Sequence, residues 1–181
     1  MPKIDKETQQ EIARLSRDDL TKLVVRAASK SKEFYDFLLI NYLDKEHAEK
    51  DLFLQAQNDI RALYRKNYKG FSDELRWANM LAACNKRINE FSKVVKDKSL
   101  EMDLIMMVLE EPFSLPASSF TTCFTRFNYQ VYLLLKKAMT LSKKLHEDYH
   151  IQYLPKINEY LNYMHKYSNH LDYIYVLPDE I

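Results

Sequence analysis

The chain has 181 residues, 46% of them hydrophobic and 29% charged, with 27 Lys and Arg against 26 Asp and Glu for a formal net charge of +1. That balance excludes a general electrostatic pull toward nucleic acid or acidic membrane, and the length is enough to bury a core without a metal or a disulfide. The single glycine, Gly70, excludes a glycine-rich nucleotide loop, a nucleophile elbow and a series of primed hairpin turns.

The N-terminus, Met1-Pro2-Lys3-Ile4-Asp5-Lys6, is polar and lacks the apolar centre of a signal peptide. A first short helix is expected from Ile4 to Leu15, weak enough to fray. Ser16-Arg17-Asp18-Asp19 then opens a helix carrying Leu20, Leu23, Val24 and Ala27, with Asp19 where a capping box prefers Glu or Gln. Ser31 caps a turn of helix with Phe34, Phe37, Leu38 and Leu43. Asp44 is the expected cap of the next helix, whose buried face reads Phe53, Ala56, Ile60 and Leu63. Gly70 is expected to close that helix in a left-handed cap.

Ser72, followed by Asp73 and Glu74, starts a helix with the seam Trp77, Leu81, Cys84, Ile88, Phe91 and Val95. Ser99 is the expected cap of a hydrophobic helix with Leu100, Leu104, Ile105, Val108 and Leu109, ended by Pro112. Residues 112–119 form the one clear loop. Phe120, Phe124, Phe127, Val131, Leu134, Ala138, Leu141 and Leu145 alternate spacings of four and three, a helical seam expected to start after Ser118-Ser119 and to end before Pro155. Pro155 suits the first turn of a last helix with Ile157, Leu161, Met164 and Leu171. Tyr173-Ile174-Tyr175-Val176 is the sole short candidate strand, and a lone strand has no partner.

The pattern predicts an all-α chain of about seven helices without a sheet, a multi-helix bundle or stacked helical hairpins. It reads as one domain over 1–181, with subdomain junctions possible near 67–72 and 111–119. The apolar runs 104–109 and 131–135 fall far short of a membrane span, so no membrane partner is expected. With two cysteines, Cys84 and Cys123, and no C-x-x-C, a reduced cytoplasmic setting is the expectation.

Leu15-Ser16-Arg17-Asp18-Asp19-Leu20 with Leu23-Val24, followed by residues 31–38 from Ser31 to Leu38, resembles the start of an uncharacterised family of all-helical bacterial proteins, a domain of unknown function. Residues 132–138 with Leu141 and Leu145 are similar to that family's long second-half helix. The resemblance implies a helical fold and a bacterial origin, and it carries no catalytic residue.

Three features bear on chemistry. His146-Glu147-Asp148-Tyr149-His150 matches H-E-x-x-H. On one helix face His146 and His150 would grip a zinc ion while Glu147 polarises its water, as in a zinc-dependent hydrolase. Asp148 inside the motif and the absence of a following glycine depart from the metalloproteases it resembles. A third ligand would have to be Glu159, His165 or His170. The bland alternative is a solvated helix end, where histidine complements the dipole. The basic pairs Lys136-Lys137 and Lys143-Lys144, with Tyr129 and Tyr132 upstream, read either as a phosphate-binding stripe or as the polar face of an amphipathic helix. Cys123 is expected in the first turn of the long helix, as an activated thiol or a small buried residue, while Cys84 reads as core.

Nine tyrosines between Tyr129 and Tyr175 read as boundary residues of packed helices or as an aromatic interaction surface. Met102, Met106 and Met107 suit core filling or a docking groove. The leading functional expectation is a non-enzymatic interaction or scaffold protein with a protein partner, a second copy included. The zinc hydrolase is the alternative, and nucleic-acid binding comes third. No cofactor is expected unless the zinc site forms.

Overall fold

Short polar side chains set most of the helix starts. The computed structural model describes residues 4–44, 47–123 and 125–181, so Met1, Pro2, Lys3 and the seam position Phe124 lie outside the described residues. Eight α-helices are described, with no strand among the described residues. The expected all-helical class holds. The count exceeds seven because the weak first segment is helical: Asp5 accepts a hydrogen bond from the Thr8 amide at 2.7 Å and caps α1, Lys6–Ala13.

The chain divides into two compact units, Met1–Glu49 and Lys50–Ile181. Both expected junctions, 67–72 and 111–119, are connectors inside the second unit. The first unit holds α1, α2 (Arg17–Lys30) and α3 (Lys32–Leu38), then a π-helical turn over Leu39–Leu43. Ser16 accepts from the Asp19 amide at 3.1 Å and donates to its carboxylate at 2.6 Å, so Asp19 does the reciprocal work of a capping-box glutamate. Ser31 ends α2 and caps α3, accepting from the Phe34 amide. One extended residue there folds α3 back against α2.

Helix α4 (Ala48–Tyr64) leads into the second unit, which continues with α5 (Asp73–Val94), α6 (Lys98–Phe113), α7 (Thr125–Ser142) and α8 (His150–Tyr167). Helices α5, α6 and α7 pack against one another in all three pairs, and α8 lies on α7. The predicted seams are the core: Leu81, Cys84, Ile88 and Val95 are inaccessible, as are Val131, Leu134 and Ala138. Helix α6 buries Met102, Leu104, Ile105, Val108 and Leu109, apolar on most of its circumference, as a central helix must be. Each such side chain stabilises the fold by about 1.5–3 kcal/mol relative to exposure.

One charge enters this core. Glu101 on α6 is only 4% exposed and is bridged by Lys98 at 2.9 Å and by Lys137 of α7 at 3.0 Å. Lys137 also donates to Asn89 of α5 at 2.8 Å, so one ammonium ties three helices. Burial works against the Glu101 charge, but the hydrogen bonds and charges of the two lysines outweigh it and hold its carboxyl below the ordinary glutamate range.

Several boundaries correct the sequence expectations. The long seam is not one helix. Ala117–Ser119 forms a 3-10 turn and α7 begins only at Thr125, although Phe120 is fully buried and its carbonyl accepts from buried Asn128 at 2.8 Å. At the other end α7 unwinds after Ser142 through short-range bonds from Lys144 and Leu145. Apolar spacing reports which side chains are buried, and a turn satisfies it as well as a helix. Pro155 lies inside α8 rather than in its first turn, because α8 starts at His150. The residue whose carbonyl loses its donor there, Ile151, is 84% exposed. Pro112 sits in the last turn of α6, which ends one residue later. Asp97, not Ser99, caps α6, accepting from the Ser99 amide and hydroxyl. The candidate strand 173–176 falls within the 3-10 turn Asp172–Val176.

Gly70 does not close α4, which ends at Tyr64, and its φ is not positive. Its role is close approach. A Cβ there would lie 3.1 Å from the Arg76 backbone nitrogen and 3.2 Å from the Leu75 Cβ, while its carbonyl accepts from the Arg76 guanidinium at 2.8 Å. The Arg76 nitrogen belongs to the first turn of α5 and has little room to move. Gly70→Ala is expected to lower unfolding stability by about 1 kcal/mol in urea titration; equal or higher stability would contradict the steric account.

Lys137→Met leaves Glu101 buried with Lys98 alone and is expected to cost roughly 2 kcal/mol at pH 7. Because the folded Glu101 pKa lies below its unfolded value of 4.5, the stabilisation is fully present above that pH and is lost as the pH falls through the folded value. The gap between variant and parent, read by urea unfolding, should therefore narrow as the pH drops below about 4.

Candidate functional site

The described apolar side chains of the first unit are almost all exposed or half-buried. Among its described residues only Ala48, in the first turn of α4, is buried. Where α3 folds back on α2, the two helices and the π turn enclose a groove of about 580 Å³. Val24, Val25 and Ala28 of α2, Tyr35 and Leu38 of α3 and Leu43 of the π turn supply its apolar lining. Val25 is 62% exposed and Leu43 68%. The π turn is closed by the Asp44 amide donating to the Leu39 carbonyl at 2.8 Å, and such turns often mark functional sites.

The polar side-chain groups lining this groove are the hydroxyls of Ser29, Tyr35 and Tyr42. No acid, base, thiol or imidazole lines it, so its chemistry is apolar contact with an edge of hydroxyl hydrogen bonding. The sequence singled out Leu23, Val24, Phe37, Leu38 and Leu43 but not Val25 or Tyr35. The available signal was the adjacent pair Val24-Val25: neighbours point about 100° apart on a helix, so two apolar neighbours imply two apolar faces.

The H-E-x-x-H residues are not arranged along one helix face. His146 precedes the 3-10 turn Glu147–Tyr149 as its cap, and His150 is the first residue of α8. The His146 ring meets the Asp148 amide at 3.4 Å and its carboxylate at 3.1 Å, and His150 Nε2 lies 3.1 Å from the Ser142 carbonyl. Glu147 is exposed. Of the third-ligand candidates, Glu159 pairs with Lys156 at 2.8 Å, the His165 ring lies 3.2 Å from the Pro178 carbonyl, and His170 is exposed. Among the described residues no three His, Cys, Asp or Glu side chains converge to hold a metal.

The basic stripe is divided. Lys137 serves Glu101 and Asn89, and Lys136 donates to the Tyr132 hydroxyl at 3.3 Å with its charge 5.6 Å from that ring. Lys143 and Lys144 are exposed beyond the end of α7. The tyrosines split in the same way. Tyr132, Tyr153 and Tyr160 are buried, while Tyr129, Tyr149 and Tyr175 are exposed. Tyr153 donates to Asp103 at 2.6 Å, and burial, followed by that carboxylate, pushes its phenol far above the ordinary value. Tyr129, Tyr132 and Tyr173 pack ring against ring, with Tyr129–Tyr173 centroids 5.6 Å apart. Met102 is fully buried, and Met106 and Met107 are partly so.

Cys123 corrects its expected burial: it is exposed, and it precedes α7 rather than lying in its first turn. Cys84 is inaccessible, and burial, with a smaller contribution from Glu111, pushes its thiol up to about 12. An aromatic disulfide reagent is expected to modify one cysteine of the native chain, Cys123, and both only in denaturant. Two fast-reacting thiols in the native state would contradict the burial of Cys84.

Among the described residues no helix is long and apolar enough to cross a membrane. No protein-family model, no curated protein and no solved structure matches the chain. The likeness to an all-helical bacterial family therefore rests on the helix patterns alone.

Proposed function

We propose that this chain is a non-enzymatic helical interaction protein whose first unit is the element that binds. The observation that carries the reading is the contrast in burial: α1, α2, α3 and the π turn contain no buried residue, although each presents large apolar side chains. Isolated helices of 7 to 14 residues, the lengths found here, are marginal in water. Apolar cover from a protein partner stabilises such helices, and an apolar face carried on folded helices is the form in which proteins dock helical segments. The groove lining supports docking over catalysis, since its polar groups are three hydroxyls with no carboxylate, imidazole, amine or thiol lining it to activate one.

A photoreactive phenylalanine analogue placed at Val25 or Tyr42 in the full chain tests this reading. Irradiation in cells is expected to attach a polypeptide, either another protein or a second copy, at both positions and not at Glu159. Absence of adducts at both groove positions would overturn it.

A further inference from the structure

We propose that a cleft between the end of α6 and the middle of α8 binds a small primary amine in its protonated form, a site in the second unit separate from the docking groove. Glu110, Phe113 and Ser114 line it from the last turn and cap of α6, and Lys156, Glu159 and Tyr160 from α8. Its volume is about 260 Å³. Pockets for drug-sized ligands run from roughly 300 to 1,000 Å³, so this one suits a smaller molecule. Charge is the first observation. Glu110 and Glu111 stand in the last turn of α6, which contains no basic residue. The carbonyls at that end of a helix disfavour a carboxylate and favour a cation. Glu159 is answered by Lys156 at 2.8 Å. Glu110 is exposed and has no ion-pair partner among the described residues. Two carboxylates against one ammonium leave the lining with an uncompensated negative charge.

The second observation is independent of the first. Tyr160 is only 2% exposed, and its hydroxyl has no hydrogen-bond partner. A buried hydroxyl left unpaired is costly. Its ring stacks flat on Phe113, with centroids 4.0 Å apart and 7° between the planes, which holds it against the cleft wall. Burial first, and then the charges of Glu110 and Glu159, push this phenol well above its ordinary value. The hydroxyl therefore stays protonated within the field of the two carboxylates that line the cleft.

These groups select among cations. A primary ammonium carries three N–H donors. The cleft offers three acceptors for them: the Glu110 and Glu159 carboxylates and the Tyr160 oxygen. A metal ion asks for a different set, and among the described residues no three His, Cys, Asp or Glu side chains converge to hold one. A quaternary ammonium brings the charge but no N–H. The same wall already carries one ammonium, since Lys156 Nζ lies 5.2 Å from the Tyr160 ring centroid. Half-buried Phe113 gives a short alkyl stem its apolar contact. The rest of the rim is charged or hydroxylic, which suits a small soluble ligand rather than a protein face.

Titration of the isotope-labelled full chain with n-butylamine at neutral pH, followed by amide NMR shifts, tests the proposal. Saturable shifts are expected at residues 110–114 and 156–160 at millimolar amine. Glu110→Gln should weaken binding about tenfold and Tyr160→Phe about threefold, since each removes an acceptor and the first also removes a charge. Lys156→Gln frees Glu159 from its internal partner and should tighten binding about threefold. Tetramethylammonium should bind about tenfold more weakly than butylamine, having no N–H to offer. Circular dichroism checks that each variant stays helical. Tyr160→Phe should be at least as stable as the parent in urea, because it deletes an unpaired hydroxyl and keeps the stacked ring. Absence of saturable shifts at these residues, unchanged affinity in Glu110→Gln, or tetramethylammonium binding as tightly as butylamine would overturn the proposal. So would tighter binding of Nα-acetyllysine amide than of butylamine, which would assign the cleft to a lysine of another protein instead of a free amine.

Discussion

The second unit depends on the packing of α6 between α5 and α7. A helix that is apolar on most of its surface cannot sit at an interface with water, so it must be enclosed on several sides. The seams of α5 and α7 provide that enclosure. Enclosure then dictates the treatment of the one carboxylate α6 carries into the core. Glu101 stays charged because Lys98 and Lys137 answer it, and Lys137 reaches Asn89 from the same ammonium. A buried ion pair is weak evidence for net stability, but loss of one partner strands the other in a medium that solvates it poorly. The polar node ties three helices at one point, while apolar burial supplies most of the energy.

The first unit obeys different physics. Its helices are specified locally, by Asp5, Ser16 and Ser31 at their starts. Capping contributes about 1 kcal/mol per helix and sets where a helix begins, but it does not supply a core. Helix geometry without burial leaves large apolar side chains such as Val25, Tyr42 and Leu43 exposed.

The motif at 146–150 shows how chemistry read from spacing depends on winding. Two histidines four apart share a face only if the residues between them are α-helical. Here α7 ends at Ser142, and Glu147–Tyr149 wind more tightly as a 3-10 turn. The same unwinding removes Lys143 and Lys144 from the face of Lys136 and Lys137. Both patterns were visible in the chain. What separated their members was a helix end that no proline or glycine marks.

Sequence alone determined the helical class, the seams of α5 and α7 as core, and the caps at Ser16, Ser31 and Ser72, the last accepting from the Leu75 amide at the start of α5. Those features follow from side-chain spacing and from the local bonding of short polar residues, and neither needs a distant contact. It also marked Leu23, Val24, Phe37, Leu38 and Leu43 of the first unit, though not Val25 or Tyr35, since amphipathic spacing is local too. Only the tertiary structure decided which apolar faces are covered, because burial depends on whether another element arrives. The same holds for Gly70, whose need for space comes from the approach of Leu75 and Arg76 rather than from its own backbone angles. It holds for Glu101 as well, since a carboxylate on an apolar helix is tolerable only where a lysine 36 positions further along the chain comes to rest beside it.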